Sequence, residues 1–391
     1  MFAPYGEAML LSPRYGSGSL ADVVPSLLAR LGVDAETDRL GFDLDGVRRV
    51  CLLMVDGLGA EQLAAHPQEA PFLNLHRAAI TAGFPTTTAT SLSSVGTGLP
   101  PGQHGVVGYQ VSIPGHPGLM NSLQWKLQSS ANPHDLPEEL VPEQFQPIPT
   151  AFERARDAGV RMMHVGPAIQ NGSGLTRACL RGAAFQQSWS AADLATETIS
   201  GLAADGPTLI YSYYGDLDLI GHVRGPNSPA WRLELRNVDH IASTIASELP
   251  HDGALIVVSD HGMVEVKRRF DYDMLPELRE GVRLLGGEPR MRFLYTDDGA
   301  VHDVQSSWQR ALGSHFTIVT KDEAISRGWF GPTVSSAASG RIGDLLALAN
   351  DGSAVVRSRA ESIAATLIGH HGSLTSAELL VPACVIRPHQ S

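Results

Sequence analysis

Thr86-Thr87-Thr88 follows Phe84-Pro85 and precedes a run of small residues that stops at Gly98. Hydroxyls behind a proline, then a short segment closed by glycine, predict the N-terminus of a short helix. Such an end leaves backbone N–H groups unpaired and carries the positive pole of the helix dipole, so a phosphate can lie against a hydroxyl of the first turn. Other segments carry groups that bind divalent cations: Asp56-Gly57, Asp218 with His222 four residues on, Ser259-Asp260-His261-Gly262, and Gly369-His370-His371-Gly372. Carboxylate with imidazole is a donor set that zinc accepts at about 2.0–2.2 Å. Taken singly, each segment reads equally as an Asp-Gly turn, a helix cap or a surface loop. Taken together, three aspartates that each follow a predicted strand, plus a hydroxyl at a helix end, make a site for phosphoryl transfer.

To meet, these residues need a particular scaffold. Val50 to Val55 is a continuous apolar run ending at Asp56, the pattern of a strand buried on both faces of a mainly parallel sheet. Ligands of open α/β sheets bind beyond the C-terminal ends of such strands. Strand and helix patterns then alternate: helix 150–157, strand 160–165, helix 191–203, strand 208–214, helix 230–249 and strand 254–259. The expected fold is α/β, with a mainly parallel central sheet and helices on both faces. Residues 1–45, with a helix over 20–31, form a lead-in packed on the body. Residues 46–271 and 341–391 form the core, with returning strands at 344–349 and 379–386. Residues 272–340 form an inserted small α/β cap with strands 282–285, 291–295 and 315–320 and a helix over 304–312. A strand is expected over 106–113, a loop over the Asp218–His222 segment, and a cleft-walling excursion over the proline-rich 114–149.

Composition narrows the function classes. The 391 residues suffice for a sizeable core, and 43% hydrophobic with 18% charged residues is ordinary for a soluble enzyme. A formal net charge of −12 argues against a nucleic-acid backbone as a standing partner. No basic-then-apolar leader opens the chain, and no run approaches the ~20 apolar residues of a membrane span. The odd count of cysteines, Cys51, Cys179 and Cys384, in apolar surroundings suits reduced thiols, so a cytoplasmic protein without a membrane partner is expected. Oligomeric state is not written in the sequence.

In order, Val55-Asp56-Gly57, Phe84-Pro85-Thr86-Thr87-Thr88, Thr97-Gly98-Leu99-Pro100 with His104-Gly105, Asp218-Leu219-Ile220-Gly221-His222, Ser259-Asp260-His261-Gly262-Met263 and Gly369-His370-His371-Gly372 resemble the motifs of the type I phosphodiesterase/nucleotide pyrophosphatase family of the alkaline phosphatase superfamily. The resemblance runs from about Val50 to Ile386. It implies an alkaline-phosphatase-like fold, a small phosphate-ester or nucleotide-like substrate, and Thr88 as nucleophile passing through a phosphothreonine. It further implies one metal on Asp56, Asp260, His261 and the Thr88 oxygen, and a second on Asp218, His222 and His371. The mixture of imidazole and carboxylate favours two Zn2+ ions over magnesium. Tyr109 stands where the family commonly has a phosphoryl-binding asparagine, Ala89 where an aromatic residue often follows the nucleophile, and Leu217 where a proline is usual. Phosphomonoester and phosphonoacetate hydrolysis can use the same groups. No arginine or lysine lies in the Thr88 motif, which favours diesters, and the stretch has no cysteine to mature as in a sulfatase. A metal-stabilised protein without turnover is the alternative of another class.

Overall fold

The computed structural model describes residues 10–127 and 140–388. The reading of the first seven residues and the middle of the 114–149 excursion fall outside the described residues.

Strand β1 (Arg49–Val55) shows why its apolar run is unbroken. Alternate side chains point to opposite faces: Val50, Leu52 and Met54 join one hydrophobic core, Cys51, Leu53 and Val55 another. The remaining central strands are β2 (Ala79–Thr81), β3 (Arg161–Gly166), β4 (Ala184–Gln187), β5 (Thr208–Tyr214), β6 (Gly253–Ser259) and, from the end of the chain, Leu380–Ile386. The sheet order is β2, Leu380–Ile386, β6, β1, β5, β3, β4. The five strands from β6 to β4 run parallel; Leu380–Ile386 runs antiparallel to both β6 and β2. Val55 pairs with Tyr214 on one side and with Ser259 on the other. The three central strands therefore end level, and whatever follows them emerges at one edge.

Helices cover both faces. On one lie α1 (Val23–Arg30) through Leu27 and α2 (Thr88–Thr97) through Leu92 and Val95. On the other lie α3 (Ala191–Leu202) through Leu194, and a long amphipathic helix, Pro229–Ser247, through Trp231 and Leu235. The helix expected at 20–31 is a 3-10 turn, Leu20–Asp22, leading into α1.

A second, four-stranded antiparallel sheet is formed by β7 (Val282–Glu288), β8 (Met291–Thr296), β9 (Phe316–Thr320) and β10 (Leu345–Ala349), in the order β7, β8, β10, β9. This corrects the expectation that 344–349 returns to the central sheet. Leu345-Leu346-Ala347-Leu348-Ala349 is an interior strand buried on both faces, so its apolar run fits either sheet. Leu285, Leu294 and Leu345 face a small core with Trp308 of the covering helix Val301–Leu312, while Phe293, Leu346 and Leu348 join the main core. The second sheet is thus welded to the body by shared packing.

The 106–113 strand shrinks to Gln110–Ser112, which pairs with Leu119–Asn121 and through it with Lys126–Leu127 in a small antiparallel sheet. Gly105, with φ of +80°, and Gly108, whose added Cβ would lie 2.8 Å from Phe293 Cε2, interrupt the run. Among the described residues no helix is long and apolar enough to cross a membrane.

Candidate active site

The level strand ends deliver the acidic groups. The Asp56 backbone N–H donates to the Tyr214 carbonyl at 2.9 Å, and the next N–H, of Gly57, donates to Asp260 Oδ1 at 3.0 Å. Gly57 has φ of +76°, and a Cβ there would sit 2.8 Å from Asp218 Cβ; only glycine lets the aspartates approach so closely. The Asp218–His222 segment is a helix, Asp216–Arg224, and not a loop. Gly215 and Gly221 weaken the helical pattern in the sequence, yet i, i+4 spacing on a helix puts both ligand atoms on one face. Gly221 leaves room for Met263, whose Sδ would lie 2.6 Å from a Cβ there.

The hydroxyl stretch folds as its composition suggests. Thr87 is the N-cap of α2, Thr88 opens the helix, and Gly98 closes it with φ of +71°. Ser91 Oγ donates to the Asp260 carbonyl at 2.7 Å, tying the helix to the end of β6. Thr86 Oγ1 donates to the Ser373 carbonyl at 2.8 Å and accepts from the Gly372 N–H at 3.0 Å, which draws the histidine loop to the same point.

There the groups converge. Thr88 Oγ1 lies 3.3 Å from His261 Nε2, which is 3.4 Å from Asp56 Oδ1 and 3.3 Å from Asp260 Oδ2. His222 Nε2 lies 3.3 Å from Asp218 Oδ2. The His371 ring stacks on His261 with centroids 3.5 Å apart and lies 5.1 Å from His222. His370 pairs through its backbone with Val264 and sits farther out, its ring 5.8 Å from His222. Asp218, His222 and His371 each present one ligand atom within 4.8 Å of the others, as do Asp56, Asp218 and His261. Asp218 thus belongs to both groups, and Asp260 stands beside the second through His261.

Two observations test whether this donor set fits cations. The Nδ1 atoms of His222, His261 and His371 face the carbonyls of Gly369 (2.7 Å), Gly262 (3.1 Å) and Thr86 (2.7 Å). A carbonyl only accepts, so each Nδ1 carries the proton and each Nε2 presents a lone pair, as metal-binding histidines require. Asp56 Oδ1, Asp218 Oδ1 and Asp260 Oδ2 are buried without a hydrogen-bond partner. A buried carboxylate oxygen left bare is costly unless a cation meets it. The electrostatics agree. Burial, then the charges of Asp260 and Asp218, push Asp56 well above the usual carboxylate range. Burial opposes ionisation of Asp218 too, but His222, His261 and His371 together hold it below that range. Burial and the neighbouring His261 push His371 well below the usual imidazole value.

Several neighbours gave no signal in the sequence. The Tyr213 hydroxyl donates to Asp56 Oδ2. Glu288, from β7 of the second sheet, places Oε2 3.3 Å from His371 Nδ1 and leans on Gly372, where a Cβ would be 2.6 Å from Glu288 Cγ. Nothing marks a glutamate in Gly286-Gly287-Glu288-Pro289 as part of a site. Tyr109 lines a cavity of about 610 Å³ that Glu288 also lines. Its phenol is pushed up by burial, and Asn121 lies beside it. Ala89 is wholly buried in the main core, so no side chain stacks from that position, and Leu217 is a core residue of the opposite face.

A mainly parallel sheet flanked by helices, with a hydroxyl at a helix N-terminus facing a cluster of aspartates and histidines, defines a hydrolase of phosphorus esters of the alkaline phosphatase superfamily. The family model described as type I phosphodiesterase / nucleotide pyrophosphatase matches residues 50–374, and the chain belongs to that family. Among solved structures, murine ectonucleotide pyrophosphatase / phosphodiesterase 5 is 18% identical over 87% of this chain and 88% of that chain, with a TM-score of 0.66. An inactive variant of the same murine protein in complex with AMP gives a TM-score of 0.67 at 18% identity, over 87% and 88% of the two chains. Phosphonoacetate hydrolase from Sinorhizobium meliloti 1021, in complex with phosphonoformate, is 19% identical over 88% of this chain and 91% of that chain, with a TM-score of 0.64. At these identities the likeness establishes the fold. No curated protein matches the sequence.

Proposed function

We propose that the chain cleaves phosphodiester or pyrophosphate bonds of small molecules by nucleophilic attack of Thr88. The observation that carries this is Thr88 Oγ1 standing 3.3 Å from His261 Nε2, within a cluster of imidazoles fixed by backbone carbonyls and of carboxylate oxygens without partners. Asp56, Asp260 and His261 with the Thr88 oxygen would hold one divalent ion and Asp218, His222 and His371 a second, zinc being the metal that this mixture suits. Ions bound there supply the positive charge that lowers the threonine pKa and offsets charge on the phosphoryl oxygens.

The chain's own groups do the rest. Thr87 stands at the N-cap position of α2 without a side-chain bond to the first turn, so those N–H groups stay open to a phosphoryl group held against Thr88. The Thr88 oxygen bonds to phosphorus as the bond to the leaving oxygen breaks. The phosphothreonine is then hydrolysed by water from the side the leaving group vacated. Tyr213 fixes the Asp56 carboxylate from behind by donating to Oδ2, leaving Oδ1 toward the site. Phosphonate hydrolysis through the same threonine is a second reading, favoured by the arginine-lined cavity beside Glu288. Three buried free thiols suit a reducing compartment, and the cytoplasm is the proposed location.

The test is hydrolysis of bis(p-nitrophenyl) phosphate against p-nitrophenyl phosphate by wild type and Thr88→Ala, with metal content measured. Faster diester cleavage, lost by at least roughly 1,000-fold in a variant that still binds metal, is expected. Activity surviving in Thr88→Ala rejects the nucleophile.

A further inference from the structure

The cavity of about 610 Å³ is large enough for a nucleotide-sized ligand, and one of its lining residues, Glu288, touches the site at His371. Its walls come from places the motifs do not reach: the small sheet after Tyr109, strand β7, and the segment following Val356. Leucine side chains line part of it, and Tyr272 adds an aromatic surface. Arg283, which is exposed on β7, and Arg357, which is half-buried, are also among the lining residues.

The lining carries three basic residues, Lys126, Arg283 and Arg357, and two acids, Glu288 and Glu361. Glu361 is the acid nearest Arg357, with Arg357 Nη1 3.6 Å from Glu361 Oε1. Glu361 is already satisfied from behind by Arg292, whose Nη2 and Nη1 donate to its two oxygens at 2.8 and 3.3 Å. Arg292 is wholly buried and does not line the cavity. Arg357 is left with a long contact from Nη1 to the Leu285 carbonyl, at 3.4 Å, and a buried Nε without any hydrogen-bond partner. Arg283 makes no ion pair among the described residues. A buried guanidinium N–H without a partner is as costly as a bare carboxylate oxygen and is relieved by an anion, which its planar fork can grip through two bonds.

Resting on the proposed phosphorus-ester hydrolysis, we infer that this cavity holds the organic substituent of the substrate and that Arg283 and Arg357 read a second anionic group on it, a carboxylate or a further phosphate. Glu288 links the cavity to the site, with one oxygen 3.3 Å from His371 Nδ1 and its carbon chain against Gly372.

The zinc-loaded protein is titrated by calorimetry with methylphosphonate, which lacks a second anion, with phosphonoformate, which adds a carboxylate, and with ADP, which adds a phosphate on a nucleoside. Phosphonoformate or ADP is expected to bind roughly ten-fold or more tightly than methylphosphonate, and the better of the two identifies the anion as carboxylate or phosphate. In the Arg283→Ala/Arg357→Ala double variant that preference should collapse toward unity while methylphosphonate still binds. Equal affinities in the wild type, or a preference that persists in the double variant, overturn the inference; persistence would mean that the metals alone read the second anion. Should the double variant fail to show a native melting transition, the Arg283→Gln and Arg357→Gln single variants carry the same comparison. The titrations are repeated in the Thr88→Ala background, where the proposed attack on ADP cannot occur, so a failure here is separate from a failure of Thr88→Ala to abolish hydrolysis.

Discussion

The edge of the central sheet and the wall of the neighbouring cavity are built by opposite means. At the edge, position comes from backbone: level strand ends, the N–H of Gly57 on Asp260, and carbonyls that fix three imidazoles. The orphaned atoms there are carboxylate oxygens, which a cation satisfies. In the wall, position comes from long side chains on segments far apart in sequence, and the orphaned atoms are of both kinds: the donor Arg357 Nε and the acceptors Gln110 Oε1 and Glu288 Oε1. Bare acceptors mark where positive charge is missing, and bare donors where negative charge is missing. The first region is rigid enough for bond making, and the second can change with few consequences for the fold. This is the division expected of a scaffold that keeps one chemistry while varying what it acts upon.

The sharpest way to break the edge alone is Gly57→Ala. The added methyl must occupy a left-handed φ and lie 2.8 Å from Asp218 Cβ, so Asp218 is driven out of both ligand groups. Hydrolysis should fall by on the order of 100-fold, with weaker zinc binding by competition against a chelator, while ADP or phosphonoformate loses no more affinity than methylphosphonate. Wild-type zinc affinity in this variant would show that the close approach is not what positions Asp218. Next in size is the joint between the regions. Arg290, just after β7, and Glu378, just before the last core strand, form a fully buried pair with two bonds of 2.7 and 2.8 Å, and Glu378 Oε1 also accepts the Ser373 N–H at 3.0 Å. Glu378→Ala should destabilise the protein by about 3–5 kcal/mol, read by urea unfolding, because it strands a buried guanidinium. A loss under about 1 kcal/mol would mean that water reaches Arg290.

What the sequence disclosed follows the same division. Asp56, Asp260 and the Thr88 helix were legible because a strand buried on both faces leaves a continuous apolar run, and the residue after it must lie at the sheet edge. Asp218 and His222 were found by type and spacing, but their helix was not, since Gly215 and Gly221 suppress its periodicity and only the fold brings Tyr213 against the first and Met263 against the second. Leu345 to Ala349 was legible as a buried strand and not as a member of the second sheet, because burial on both faces is the same signal in either. The strands Gln110–Ser112 and Leu119–Asn121 are too short for alternation to appear. Glu288, Arg283 and Arg357 share no motif; tertiary contact alone brings them together.

Glu288 tests how far the two regions depend on each other. It reaches His371 Nδ1 at 3.3 Å, beside the stronger bond from that nitrogen to the Thr86 carbonyl at 2.7 Å. Glu288→Ala should weaken binding of the second zinc by roughly 10-fold, the lower end for removing a group that orients a metal-binding histidine, and Glu288→Gln should restore most of it. Equal loss in both would point to the negative charge and not to the position of the side chain. An unchanged zinc isotherm would mean that Thr86 holds His371 without help.

A last effect separates the body from the seam by pH. His164, inside β3, and His104, where α2 meets the second sheet through Arg341, are both buried. Burial lowers His164 to about 4; burial and the charge of Arg341 lower His104 to about 3. His104 Nδ1 accepts the Val106 N–H at 3.1 Å, so its proton is on Nε2, facing Ser94 Oγ at 3.1 Å, and no second proton can be added without losing a backbone bond. Both folded values lie below the unfolded value of about 6.5, so between them the unfolded chain binds the proton and the folded chain does not. Stability from these residues is complete above pH 6.5 and falls as pH drops, by about 1.4 kcal/mol per unit for each histidine until its folded value is reached. Unfolding in urea at pH 7, 6 and 5 should show that slope, and His104→Gln or His164→Gln should each flatten it by about one proton. If only His164→Gln does so, the seam around His104 opens before the body unfolds, and the second sheet is a separate cooperative unit despite its shared core.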